Sequence, residues 1–169
     1  MHPAVDTTVQ MQILDPRLHD WGPPAYQSAM AAGLDLRACL DEPAVLQPQE
    51  PATLIPTGIA IYIGRPDIAA KIYPRSGLGH KKGLVLGNGT GVLDADYQAQ
   101  IFVSAWNRNP AGSRDTIVIT PGDRIAQLVF VPVLQPAVAV VDAFSETTAR
   151  GLNGFGSTGV SDIGGSGSA

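Results

Sequence analysis

Thr8-Val9-Gln10-Met11-Gln12-Ile13-Leu14 alternates polar and apolar residues, and that period of two puts Val9, Met11 and Ile13 on one face of a strand. Working outward, the same chemistry recurs. Ile59–Ile63, Ala69–Tyr73, Gln98–Trp106, Thr116–Ile119, Ile125–Val133 and Val138–Val141 are rich in Val, Ile and aromatic residues, the types that fit a pleated surface. Gly58, Gly64-Arg65-Pro66, Asn109-Pro110-Ala111-Gly112 and Pro121-Gly122-Asp123 supply turns between them. No segment sustains a long helical period, and the best helix candidate is the short, glycine-containing stretch Arg75–His80. Short strands with regular turn signals predict an all-β sandwich, jelly roll or barrel.

The totals bound the rest. A chain of 169 residues with 44% hydrophobic and 15% charged residues forms one domain with a core. A formal net charge of −4 and the lack of a long basic run argue against coating nucleic acid. The single Cys39 excludes an internal disulfide and a thiolate zinc site. The N-terminal segment lacks a charged-then-apolar leader, and no stretch reaches membrane-spanning length, so the expectation is a cytoplasmic protein with no membrane partner. From Gly151 onward Gly and Ser dominate, which reads as a flexible arm; the expected division is residues 1–149 for the barrel and 150–169 for the arm.

Three segments carry chemistry. Pro74-Arg75-Ser76-Gly77-Leu78-Gly79 and Arg150-Gly151-Leu152-Asn153-Gly154-Phe155-Gly156-Ser157-Thr158-Gly159 combine arginine, glycine and serine. Guanidinium forks match phosphate oxygens, and glycines let backbone N–H groups approach an anion. Ser76 reads as a phosphate hydrogen-bond donor, since a Ser–His–Asp triad finds no suitably spaced histidine. Gly91-Val92-Leu93-Asp94-Ala95-Asp96-Tyr97 places two carboxylates at i and i+2, read as a hairpin tip with both on one side. Asp94 is then a candidate general base beside Tyr97; equally, Asp-x-Asp is an acidic turn bonding its own backbone, and Tyr97 a core residue. Gly87-Asn88-Gly89-Thr90-Gly91 is either a plain turn or a backbone edge that reads a base with help from Asn88. In Gly122–Gln127, Arg124 reads as structural, and His80-Lys81-Lys82 as a solvated turn. Gly154–Gly159 matches a dinucleotide fingerprint in form only, lacking the strand before it and the helix after it; Phe155 makes it a candidate lid.

In order along the chain, Ala32–Ala38, Pro74–Gly83, Gly91–Tyr97, Gly122–Gln127 and Arg150–Gly159 resemble the five motifs of the trimeric dUTPases. The resemblance spans residues 32–159 and departs at Asn153, where the family arm carries glycine. It implies a jelly-roll-like β-barrel forming a homotrimer, with sites shared between subunits: Arg75, Ser76 and Gly77 from one chain, the Asn88–Tyr97 segment from a second, the arm from a third.

The implied reaction is hydrolysis of dUTP to dUMP and pyrophosphate, with Asp94 activating water for in-line attack on the α-phosphorus and Mg2+ bridging the phosphates. Mg2+ would be held by phosphates and water, with Asp35 a possible contact to one of those waters. Arg75, Ser76, Gln127, Arg150 and Ser157 would hold phosphate oxygens, with Gly77 and Gly156 also binding substrate. Asn88 and the backbone of Gly91, Val92 and Leu93 would read uracil, Tyr97 would pack on the sugar with Phe102 nearby, and Phe155 would stack over the base. Two rivals share the fold expectation. A dCTP deaminase needs a glutamate base, and no glutamate lies between Pro51 and Ser145. A non-catalytic nucleotide-sensing trimer predicts loss of Asp94 or of the arm, and both are present.

Overall fold

The computed structural model describes residues 8–148 and Gly151. They fall into two units, divided after Gln135. In the first, ten strands and two short helices follow in the order β1 (Gln10–Ile13), α1 (Arg17–Trp21), β2 (Leu34–Arg37), β3 (Ala44–Leu46), β4 (Thr53–Tyr62), β5 (Ile68–Pro74), α2 (Ser76–Lys82), β6 (Leu84–Leu86), β7 (Gly91–Leu93), β8 (Gln100–Asn107), β9 (Ile117–Ile119) and β10 (Arg124–Pro132). Two antiparallel four-stranded sheets, β1-β4-β8-β6 and β2-β10-β5-β7, and the ladder β3-β9 enclose one core. This is the expected all-β, jelly-roll-like architecture.

Alternation builds that core. Along β8, Ile101, Val103 and Ala105 are buried while Phe102 points outward. Leu36 on β2 and Leu128 on β10 are fully buried in the opposite sheet, so each sheet contributes one apolar face. Buried polar groups are paired: Thr57 Oγ1 donates to Ile101 O at 2.7 Å, and Asn107 Nδ2 donates to Leu46 O at 2.9 Å and Asp115 O at 2.8 Å. The pairing of β4 with β8 shifts register between Pro56 and Ala60. Gly58 sits there with φ +69°, and a Cβ on it would lie 2.6 Å from the Cys39 sulfur, so only glycine fits.

Three sequence expectations change. Gly91–Tyr97 is not the tip of a hairpin: β7 pairs with β5, whereas β6 and β8 pair with each other in the other sheet. Gly87–Thr90 is therefore a crossing between sheets, which local sequence does not encode. Val138–Val141 forms no strand; Val138 is 89% and Val140 100% exposed, because β-propensity needs a partner edge and no described strand of this chain pairs with it. Finally, α2 runs two residues beyond the expected helix, with Arg75 as its N-cap and Gly83 as a left-handed C-cap, so His80, Lys81 and Lys82 are its exposed last turn. No described helix is long and apolar enough to cross a membrane. The expected barrel–arm boundary at 149/150 falls outside the described residues.

Candidate active site

The β2-β10-β5 pairing brings three sequence-distant motifs together. Gln127 on β10 lies opposite Asp35 on β2 and Tyr73 on β5. Asp35 receives Arg75 Nε at 3.0 Å on one oxygen and Arg124 Nη1 at 3.2 Å on the other. Arg75 Nη1 also donates to Arg124 O at 3.3 Å, and Gln127 Nε2 to Pro74 O at 3.2 Å. One carboxylate thus holds two guanidinium groups side by side at the end of a sheet. Asp35 is only 15% exposed, while Arg75 and Arg124 are 34% and 42% exposed, so the anchor is shielded and donors remain for an anion.

Arg124, read from sequence as structural, belongs to this cluster; its signal was its place three residues before Gln127 in Gly-Asp-Arg-Ile-Ala-Gln. Ser76 and Gly77 are exposed beside Arg75 and share with it a hollow of about 290 Å3. Lys81 and Lys82 line that hollow too, and a larger cavity of about 820 Å3 adjoins it, sharing Arg75, Lys81 and Lys82 and adding Arg114 and Arg124.

Asp94 lies elsewhere. Leu93 pairs with Ala70, at the start of β5, whereas Arg75 follows the end of β5. At about 3.3 Å per residue the two functional groups of one chain stand roughly 15–20 Å apart. Asp94 is exposed, heads a turn closed by Tyr97 N–H to Asp94 O at 3.2 Å, and shares a cavity of about 520 Å3 with Asp96, Arg65 and Tyr62. Gly64 N–H donates to Ala95 O at 2.9 Å, tying that turn to the β4–β5 loop.

The remaining candidates divide. Asn88 is exposed in the Gly87–Thr90 crossing, where Gly89 N–H donates to Leu86 O and Thr90 N–H to Asn88 O. Val92 is exposed between buried Gly91 and Leu93. Tyr97 packs partly against the core and donates its hydroxyl to Gln100 O at 2.9 Å. Phe102 lies opposite Pro56 in the other sheet, 43% exposed. Arg150, Phe155, Gly156 and Ser157 lie outside the described residues.

The antiparallel jelly-roll-like fold thus fixes paired arginines at one sheet end and exposes an aspartate at the other. The dUTPase family model matches residues 19–159, and the chain belongs to that family. It is 58% identical over 151 residues to the deoxyuridine 5'-triphosphate nucleotidohydrolase of Azoarcus sp. (strain BH72), covering 89% of this chain and 97% of that one. With the enzyme of the same name from Xanthomonas oryzae pv. oryzae (strain MAFF 311018) it shares 53% over 154 residues, 90% and 96% of the two chains. Among solved structures it resembles a mutant dUTPase of Staphylococcus bacteriophage 80alpha with dUpNHpp, at TM-score 0.78 and 28% identity over 90% of this chain and 99% of that one. A mutant dUTPase of phage phi11 of S. aureus, described with a structural Mg(II) ion, matches at TM-score 0.69 and 28% identity, covering 81% and 98%.

Proposed function

We propose that this protein hydrolyses dUTP to dUMP and pyrophosphate, keeping uracil out of DNA and supplying dUMP for thymidylate synthesis. The observation that carries the reading is the clamp of Arg75 and Arg124 on Asp35, in a chain of the dUTPase family.

Phosphoryl chemistry asks a protein mainly for positioning and charge stabilisation. Arg75 and Arg124, with Ser76, the Gly77 backbone and Gln127, hold the phosphate oxygens. Asp94 accepts a proton from water as its oxygen bonds to the α-phosphorus; the bond to the bridging oxygen breaks and pyrophosphate leaves. Exposure of Asp94 at a turn supports this role, since the base must reach water bound by no other group. Asn88 and the Gly91–Leu93 backbone read the uracil edge, where a cytosine would leave donors and acceptors mismatched. Tyr97, restrained through its hydroxyl, packs on the sugar, and Phe102 stands near it. Arg150, Gly156 and Ser157 of the arm add phosphate contacts, and Phe155 stacks on the base, worth about 0.5–1.5 kcal/mol beyond buried area.

The donor set fits a cation carried by substrate. Both oxygens of Asp35 are engaged by arginines, and among the described residues no three His, Cys, Asp or Glu converge. Mg2+, which retains waters and binds phosphates readily, would neutralise triphosphate charge there, and Asp35 would be the residue to hold one of its waters.

The separation of Arg75 from Asp94 supports a site shared between copies, completed in a homotrimer. The exposed apolar residues Tyr26, Val92 and Leu134 of the first unit are surface that such an assembly would cover. The test is pyrophosphate release from dUTP with Mg2+, run beside dCTP, dTTP and UTP. Release from dUTP alone is expected; ammonia from dCTP, or silence on all four, overturns the reading.

A further inference from the structure

His80, Lys81 and Lys82 form the exposed last turn of α2, and the fold brings this turn to a second group of cations. The cavity of about 820 Å3 is lined by Arg75, Lys81, Lys82, Arg114 and Arg124 against only two carboxylates, Asp115 and Asp123. Asp123 is committed to Thr120, accepting its N–H at 2.8 Å and its hydroxyl at 2.7 Å. Arg75 and Arg124 share Asp35. Lys81, Lys82 and Arg114 form no ion pair among the described residues and are exposed.

The two walls are held in register. Asn109 Nδ2 donates to Lys82 O at 2.9 Å and to Asp115 O at 3.2 Å, and Arg108 N–H donates to Gly83 O at 3.0 Å. The loop that carries Arg114 is thereby fixed to the end of α2. Favourable cation–dipole contact at the helix C-terminus accounts for lysines there, but not for a third cation brought opposite them by a side-chain bridge. A fixed concave surface with unpaired cations on both walls selects a compact polyanion.

We propose that this cavity is a second polyphosphate site that takes inorganic pyrophosphate as it leaves the nucleotide; the assignment of its ligand rests on the dUTPase reading above. Arg75 and Arg124 border both the proposed nucleotide phosphates and this cavity, so the leaving group moves from one set of cations to the next without crossing open solvent. The protein carries a net charge of −4, so a local cationic path also draws in an anionic substrate.

The test is calorimetric titration of inorganic pyrophosphate, with Mg2+, into the full-length protein saturated with dUpNHpp. Pyrophosphate is expected to bind with the analogue in place. In the K81A/K82A/R114A variant that affinity falls about tenfold or more; in R114A, the one of the three that does not line the hollow of Ser76 and Gly77, pyrophosphate binding weakens while KM for dUTP stays within about twofold. The K81R/K82R variant, which keeps the charge, is expected to retain binding. Loss of pyrophosphate binding on saturation with the analogue, or unchanged affinity in the triple variant, overturns the proposal. Absent dUTP turnover in the unsubstituted protein, with pyrophosphate binding intact, overturns the enzymatic reading and the product assignment and leaves the polyanion site standing.

Discussion

Arg75 and Asp94 stand at opposite ends of one strand pair: Arg75 follows Pro74 at the end of β5, and Asp94 follows Leu93, which pairs with Ala70 near its start. A phosphate held by the first is out of reach of a water held by the second, at roughly 15–20 Å along the strand. Arg75→Ala and Asp94→Asn are each expected to lower turnover by about 10²-fold or more, the latter with nucleotide binding retained. Co-refolding the two inactive variants should restore about a quarter of full activity, the share of sites with both groups intact in a closed ring of mixed chains. Pyrophosphate release from the mixture measures this, and a mixture as silent as its components refutes site sharing.

Asp35 holds Arg75 and Arg124 through separate oxygens. Removing it in Asp35→Ala leaves two like charges adjacent and unoriented. The expected result is a fall of about 10- to 100-fold in kcat/KM, with the fold intact, because misplacement of binding groups is costly in phosphoryl transfer. Steady-state kinetics with dUTP, alongside circular dichroism, separates this from unfolding.

Gly87 tests the crossing between sheets. A Cβ there would drive into Ala52 and come within 3.0 Å of Ser104 Oγ. Gly87→Ala is therefore expected to destabilise by about 1–3 kcal/mol and to displace Asn88. Chemical denaturation reads the first effect and uracil selectivity the second.

Acid sensitivity should centre on Asp15. The Arg17 guanidinium bonds its carboxylate, at 2.9 and 2.6 Å, and holds its pKa below the usual carboxylate range. A folded-state value below the unfolded one, about 3.9, means the pair adds stability above that pH and loses it as pH falls through the folded value. Asp15→Asn should lower Tm near neutrality and flatten its decline below about pH 4. Thermal melts at several pH values give the comparison.

Truncation after Ala149 is expected to spare assembly and cut catalysis by about 10²-fold or more, since a closing arm positions phosphates and excludes water. Size-exclusion chromatography and dUTP turnover on the truncated chain measure the two separately. Unchanged turnover refutes the lid role.

Several elements were legible because local chemistry decides them. Alternation in Gln10–Ile13 and β-branched runs in β5 and β10 place strands at the expected positions. The short strands β2, β3 and β6 do not stand out in the sequence, since they have neither the longer alternation of Thr8–Leu14 around β1 nor the continuous β-branched run of β9. Arg75 stood out as a candidate phosphate ligand by type and Gln127 through the family resemblance, whereas the placing of Arg124 beside Arg75 required knowing that β10 lies between β2 and β5.

By itself the sequence determined an all-β chain and its turns, and marked the side chains proposed to handle phosphate and water, because these follow from residue type and short-range spacing. The tertiary structure decided which of them meet. Strand pairing brings Asp35, Arg75 and Arg124 together across 89 residues of sequence and sends β6 and β7 into different sheets. Pairing register depends on burying one common core, a property of the whole chain that no local segment contains.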